Sequence, residues 1–387
     1  MSQLKVNAIS DAAGANGNAI TLATDGTCTA KVTNNLSNRN LIINGASQIA
    51  QRGTASVAAN TTCADMSKFD CTTGGGNPSG ITMQRVSDGP DGFEYSQKVT
   101  MAGSTWTPTA GNICLFYQNI EAQNLAHLEY GTSNAKTLTL SFWVKASVTG
   151  EYSVALTNNT HAAPHDNANR NYITSYTISS ANTWERKSVT ITGDTSGTWA
   201  KTGTGAGMCP IWDIGSGSNH EASTGSWQAG ADFRKANTIK IGDTASSTWQ
   251  ITGIQLEVGD YATDFEHRSY ADEYLQCCRY YQKFGENFGT AFAGKGSGST
   301  TVLFAVPLVV PLRASPTVSQ AGNVYQWGPS NAGYENATIS VSKFMTDGLQ
   351  IWLTQAEHST VADDRCCVVT PYGGSATNPD LALTAEL

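Results

Sequence analysis

In the stretch Leu138-Thr139-Leu140-Ser141-Phe142-Trp143-Val144-Lys145 every second residue is apolar. Successive side chains of a strand point to opposite faces, so this period buries one face of a sheet and wets the other. Ser188-Val189-Thr190-Ile191-Thr192 repeats the pattern, with hydroxyls on the outer face. Further strand candidates are 41–43, 81–86, 93–99, 113–118, 152–156, 172–178, 184–191, 239–241 and 249–258. Polar turns separate them, and Asn44-Gly45 is a strong turn dipeptide. Many strands with no helix between them predict an antiparallel β-sandwich, jelly-roll-like, over residues 40–268. The Gly- and Ser-rich insert 193–232 is expected to be a surface loop at one end of it.

The flanking segments differ. Within residues 1–39, Leu4-Lys5-Val6-Asn7-Ala8-Ile9 alternates, Gly14 to Asn18 reads as a turn, and Ile20-Thr21-Leu22 and Cys28 to Val32 are further short pieces. None can bury a core alone. An extended N-terminal arm that orders against neighbouring subunits or a docking protein fits this spacing, with Leu4, Val6, Ile9, Ile20 and Leu22 as attachment candidates. Residues 269–284 read as one short connecting helix: Ser269 is an N-cap, Asp272 and Glu273 occupy the first turn, and Gly285 is a stop. Tyr270, Tyr274, Cys277 and Tyr281 then share a face. Residues 285–387 are expected to form a smaller C-terminal β domain. In it the proline-bearing pieces 302–307 and 309–312 fit edge or lead-in strands. The fold class is therefore all-β: arm, sandwich, connecting helix and C-terminal β domain.

Only 14% of residues are charged and the formal net charge is −8, with no basic run. Nucleic acid, which needs clustered Lys and Arg, is not an expected partner. The longest apolar stretch, 301–312, holds Pro307 and Pro311 and ends at Arg313, too short to cross a bilayer. Residues 1–18 lack an apolar signal core, so synthesis in a cytoplasm is expected. The nine cysteines include the vicinal pairs Cys277-Cys278 and Cys366-Cys367, and no C-x-x-C occurs. Most read as small buried apolar residues in a reducing compartment. Whether Cys63 and Cys71 close a short loop is left open.

Sugars are held by flat aromatic faces with a few polar groups beside them. Trp143 and Trp249 lie on strand patterns and read as core, and Trp184 fits either role. Trp106, Trp199, Trp212 and Trp227 lie in Gly/Ser/Thr context and are the glycan-contact candidates. A loop tryptophan can equally pin its own loop or fill a subunit interface. His161 and His165 stand four apart, but Pro164 argues against the helix that would aim both at one ion. Asp88, Asp91 and Glu257 have oxygen ligands for calcium without a spacing that demands it. No metal or cofactor is expected. Neither G-x-S-x-G, H-E-x-x-H nor a P-loop appears, no short repeat suggests a β-helix, and Gly203 to Gly207 reads as a flexible loop. The chain is not expected to be an enzyme.

Three motifs and one further stretch carry a resemblance. Asn40-Leu41-Ile42-Ile43-Asn44-Gly45 runs to Gln48-Ile49-Ala50-Gln51-Arg52-Gly53. Ile254-Gln255-Leu256-Glu257-Val258-Gly259 leads to Ala262-Thr263-Asp264-Phe265-Glu266-His267-Arg268. Glu273 to Cys278 and Arg279-Tyr280-Tyr281-Gln282-Lys283 follow, and Phe304-Ala305-Val306-Pro307 extends to Val318. In this order they resemble a family of bacteriophage tail-fibre and virion-associated structural proteins, especially of marine and cyanobacterial phages. Many relatives carry proline where Asp264 stands, and a Tyr/Asp/Arg/Trp run where Met66 to Cys71 stand. The resemblance implies a carbohydrate-binding-like jelly roll, a homotrimer, and a place on the virion after assembly in the host cytoplasm. It implies a tail-fibre subunit anchored by its arm to another virion protein, such as a tail adaptor or portal-proximal protein, and adhesive toward host-surface polysaccharide. The alternatives are a capsid or tail decoration protein with no host contact and a polysaccharide-degrading tailspike.

Overall fold

The computed structural model describes residues 8–10, 18–22, 28–30, 38–53, 57–58, 61–62, 65–72, 80–158, 169–230, 232–284, 292–296, 302–321, 323–327, 339–344, 350–355, 366–372 and 380–386. In the arm, β1 (Ala8–Ser10), β2 (Asn18–Leu22) and β3 (Cys28–Ala30) form a separate antiparallel sheet. Ile9 stands opposite Ile20, and Leu22 opposite Cys28. Leu4 and Val6 lie outside the described residues.

The sandwich is then laid down by β4 (Val57–Ala58), β5 (Thr61–Thr62), β6 (Lys68–Thr72), β7 (Thr82–Val86), β8 (Ser96–Thr100), β9 (Ile113–Tyr117), β10 (Ile120–Glu121), β11 (Leu138–Ala146), β12 (Gly150–Thr157), β13 (Arg170–Ile178), β14 (Glu185–Ile191), β15 (Ala206–Asp213), β16 (Trp227–Ala229) and β17 (Thr248–Val258). Among the described residues one sheet runs β16-β13-β12-β15-β9-β6-β5, with β10 also on β15, and the other runs β14-β11-β17-β8-β7-β4. The alternation of β11 does what its period requires. Leu138, Leu140, Phe142 and Val144 are fully buried between the sheets, each burial stabilising by about 2 kcal/mol. Phe116, Phe142, Trp212 and Trp249 interlock edge-on, with Phe142 and Trp212 centroids 5.4 Å apart. The Trp249 indole N–H donates to the Tyr176 hydroxyl at 3.1 Å, so its one polar atom is satisfied in the core.

The insert 193–232 is not the surface loop its composition predicts. Its middle is β15, an inner strand between β12 and β9. Glycine and proline mislead there for a packing reason. A Cβ on Gly207 would stand 2.7 Å from the Ala122 Cα, so glycine serves close approach. Pro210 still faces Leu156 across the ladder and accepts the Gln118 N–H. Residues 41–43 are not a ladder strand. The Gln118 side chain brackets Ile43, donating to its carbonyl at 2.7 Å and accepting its N–H at 2.8 Å. Residues 239–241 lead into a short 3-10 turn, Ile241–Asp243.

The Asn44-Gly45 turn forms, with Asn44 in the left-handed region at φ 57°. Gly45 is required by contact: a Cβ there would meet the Ile254 carbonyl oxygen at 2.2 Å. The segment that leads into the sandwich is clamped to the one that leaves it. Asn40 Oδ1 accepts the Leu256 N–H at 3.0 Å, and its Nδ2 donates to the Ile254 carbonyl at 3.0 Å. Leu41 N–H donates to the Leu256 carbonyl at 2.9 Å. Arg268 donates to the carbonyls of Asn40 and Ile42.

The helix α1 (Tyr270–Cys278) begins where expected, with Ser269 Oγ accepting the Asp272 N–H at 3.2 Å. It ends earlier than the predicted 284. After Arg279 and Tyr280 the chain turns into β18 (Tyr281–Phe284), which pairs with the last strand. Of the predicted face, Tyr270 stacks on Tyr274 at 6.3 Å and Tyr274 packs with the buried Cys277, whereas Tyr281 is corrected, since it belongs to a strand. Arg279 ties this corner to the sandwich through both oxygens of the buried Glu121, at 2.7 and 2.9 Å.

The rest is β19 (Phe292–Gly296), β20 (Val302–Pro307), β21 (Thr317–Ala321), β22 (Asn323–Trp327), β23 (Ile339–Lys343), β24 (Gln350–Gln355), β25 (Cys366–Tyr372) and β26 (Asp380–Thr384). Among the described residues these make a sheet β22-β25-β19-β20-β24-β23 and, with β18, a sheet β18-β26-β21. β20 is an inner strand and not an edge, because its proline falls at the last ladder position, Pro307 opposite Gln350. Residues 309–312 form no strand. Phe292, Phe304, Val306, Leu353, Leu381 and Leu383 make the core of this domain.

Candidate functional site

The edge strand β16 sets Trp227 opposite Tyr172 of β13. The loop after β14 brings Trp199 to the same place, and the loop before β11 brings Tyr130. Trp199 and Trp227 stand edge-to-face at 5.3 Å, Tyr130 lies 4.7 Å from Trp199 and 5.8 Å from Trp227, and Tyr172 lies 5.6 Å from Trp227. Such edge-to-face packing adds about 1 kcal/mol per pair beyond area burial and fixes ring orientation.

One carboxylate holds the loops. The buried Asp194 accepts Arg170 Nε at 2.8 Å and Nη2 at 3.0 Å, the Trp199 indole N–H at 3.2 Å and the Ser196 N–H at 3.1 Å. Its own carbonyl accepts the Gly131 N–H at 2.7 Å. The hydrogen bonds to Asp194 raise the Arg170 pKa. Burial first, and then the Asp194 charge, pushes the Tyr130 phenol well above its ordinary value, so it stays neutral. The Trp227 indole N–H donates to the Thr192 carbonyl at 2.6 Å, which pins the ring from its nitrogen side. Trp199 is 7% exposed and Trp227 is half-buried, while Thr192, Ser196, Gly197 and Thr198 around them are exposed. The arrangement is a rigid aromatic edge with an arginine, hydroxyls and peptide groups beside it. Tyr130, Tyr172 and Trp199 are buried at 2%, 7% and 7% exposure, so the ring open to a flat apolar ligand face is the half-buried Trp227, with hydroxyls and peptide groups at its rim.

Of the four tryptophan candidates, the structure brings Trp199 and Trp227 together. Trp212 is corrected: it lies on β15 with no exposed surface, between Phe116 and Phe142, and cannot meet a ligand from solvent. Trp106 is partly buried, its backbone N–H donating to the Gly242 carbonyl at 2.7 Å and its ring against the same glycine. Among the described residues it has no ring contact with the Trp199–Trp227 pair. Tyr130 and Tyr172 were not singled out from the sequence. Tyr172 is visible in retrospect as a member of an alternating strand, and Tyr130 carries no local signal beyond the glycine that follows it.

The other candidate chemistry disperses. Asp88 binds Lys145 at 2.5 Å and the Trp184 indole N–H at 3.4 Å. Burial works against its charge, but Lys145 outweighs it and the carboxyl pKa is lowered. Glu257 is engaged by Arg39 at 3.4 Å, Gln255 at 2.8 Å and both the N–H and hydroxyl of Thr263. Asp91 is exposed and shares no ligand cage with either. Among the described residues no three His, Cys, Asp or Glu side chains gather as metal ligands, and no helix is long and apolar enough to cross a membrane. His161 and His165 lie outside the described residues. Gly203 and Gly205 use their carbonyls on the N–H groups of Gln123 and Ala122, so this glycine run is stitched to the sandwich.

No protein-family model matches this sequence, and no curated protein matches it. The chain is similar to solved structures of layered β architecture. One is the enzymatically active domain of tailspike protein 4 of bacteriophage CBA120, with 13% identity over 57% of this chain and a TM-score of 0.31. The chain spans 22% of that tailspike's length. Another is the family 11 carbohydrate-binding module of the cellulosomal cellulase Lic26A-Cel5E of Clostridium thermocellum, at 12% identity over 56% of this chain and 98% of that one, TM-score 0.26. A third is the tandem CBM22-1–CBM22-2 domain of Paenibacillus barcinonensis Xyn10C, at 8% identity over 92% of this chain and 99% of that one, TM-score 0.26.

Proposed function

We propose that this chain is a non-catalytic, glycan-binding fibre subunit of a bacteriophage particle. The observation that carries the binding half is the half-buried Trp227, backed by the buried rings of Trp199, Tyr130 and Tyr172 and set among loops held by Asp194 and Arg170. A prearranged aromatic platform loses little conformational freedom on binding, and its hydroxyl and peptide rim suits a polyol. The virion half rests on the ordered motifs from Asn40 to Val318. In this reading the arm, through Ile9, Ile20 and Leu22 among others, docks to a partner on the particle and to copies of itself in a homotrimer. Weak sites multiplied by copy number then give avidity without a strong single site.

The test uses the purified full-length chain on arrayed bacterial surface polysaccharides. Binding is expected, with at least a tenfold loss for Trp227→Ala, equivalent to about 1.4 kcal/mol. Trp184→Ala, which alters another part of the sandwich, should retain it. Absence of binding to every polysaccharide, or equal binding by Trp227→Ala, refutes the adhesive reading and favours a decoration protein. Shortening of a bound polysaccharide with time refutes the non-catalytic part. Light scattering gives the copy number.

A further inference from the structure

The register of β6 on β9 sets Cys71 directly opposite Cys114. Both are fully buried in the sandwich core and both stand as thiols. The kind of pairing decides whether their sulfurs can meet. Cys114 donates its backbone N–H to Ser216 Oγ at 2.9 Å, and its carbonyl accepts the Ile214 N–H at 3.0 Å. Ile214 directly follows β15, which lies on the side of β9 away from β6. The N–H and C=O of one strand residue point the same way, so Cys114 turns both of them from β6. Cys71 and Cys114 are therefore a non-hydrogen-bonded pair, in which Cα atoms approach to about 4.5 Å and side chains lie closest. That separation falls inside the range a disulfide spans. The two thiols already share a hydrogen bond.

We propose that Cys71 and Cys114 form a cross-strand disulfide when the protein meets a medium containing a small-molecule disulfide. One cysteine thiolate attacks the reagent RSSR, forming a mixed disulfide and releasing one RSH after proton transfer. The second cysteine attacks the protein sulfur of that mixed disulfide, closing the Cys71–Cys114 bond and releasing the second RSH. The protein gives up two hydrogens and two electrons, and the reagent takes both. The bond staples β6, near one edge of its sheet, to the inner strand β9. Burial pushes the Cys114 thiol well up, so exchange is slow in the closed state and proceeds during folding or opening of that edge. Among the described residues β5 pairs with β6 at Lys68 and Phe69.

The test takes the full chain, reduced, in two arms: the native protein incubated with oxidised glutathione, and the unfolded chain refolded in the same buffer. Remaining thiols are alkylated, and non-reduced digests are mapped by mass spectrometry. A Cys71–Cys114 linked peptide is expected, lighter by two hydrogens than the dithiol pair and retained in Cys63→Ser. The linked protein should unfold at higher denaturant than the reduced one. A Cys63–Cys71 link, or alkylation of both Cys71 and Cys114 in both arms, would overturn the proposal.

Discussion

Asp65→Asn should stabilise the folded chain at neutral pH and leave it nearly unchanged in acid. Asp65 is buried, with Oδ2 accepting the Gln51 side-chain amide at 2.7 Å and Oδ1 without a partner. Burial pushes its carboxyl from an ordinary 3.8 up to about 6, against the opposing hydrogen bond from Gln51 and charge of Arg52. The folded chain thus binds this proton more tightly than the unfolded one. Stability from it is fully present below pH 3.8 and lost as pH rises through about 6. Two pH units correspond to about 3 kcal/mol lost at neutral pH. Asparagine imitates the protonated form and removes that loss, though its amide at the orphaned position costs about 1 kcal/mol. The net gain is about 2 kcal/mol at about pH 7.5, and about zero or slightly negative at about pH 4. Urea unfolding of both proteins at the two pH values measures it. A variant less stable than the parent at about pH 7.5 would show that Arg52 and Gln51 hold the carboxylate charged, and would refute the reasoning.

Four further outcomes follow from packing. Gly45→Ala should cost about 3 kcal/mol, read by chemical denaturation, because its Cβ meets the Ile254 carbonyl and a backbone cannot swing aside. Trp212→Ala should lower stability by about 3–5 kcal/mol by opening a cavity in the sandwich core, whereas the half-buried Trp227→Ala should cost less in the same melt. Arg234→Ala leaves the buried Asp213 without its 2.5 Å partner and should cost about 3–5 kcal/mol in denaturant unfolding. Ser269→Ala removes the cap of α1 and should cost about 1 kcal/mol, with Ser269→Thr, which keeps the hydroxyl that accepts the Asp272 N–H and donates to its carboxylate, restoring it in the same measurement.

What could be read from the residues follows one rule. β11 and β14 showed themselves because apolar inward residues alternate with polar ones on the other face, so period two survives in the letters even where Thr139 and Ser141 of β11 are themselves buried. β15 is buried on both sides, with Cys209 and Ile211 under one cover and Met208 and Trp212 under the other, so no alternation marks it. Its glycine and proline then read as loop, and Trp212 was drawn into the surface set for the same reason. The helix cap was legible because it is local; the helix end was not, because β26 captures Tyr281 from far along the chain. The Trp199–Trp227 pair was half legible, from context, but Tyr130 joins it only through tertiary folding. Cys114 as the neighbour of Cys71 was hidden by β7 and β8, which pass through the opposite sheet between them.

The bonds that join Asn40 to Leu256 and Arg268 have a mechanical meaning. A pull along the polypeptide, applied before Asn40 and after Arg268, is carried across a few hydrogen bonds at one spot. The path runs through the end of β17 and the Arg268 contacts, and the other strands hang beside it until those bonds shear. A lobe mounted this way can stay folded while tension runs past its base.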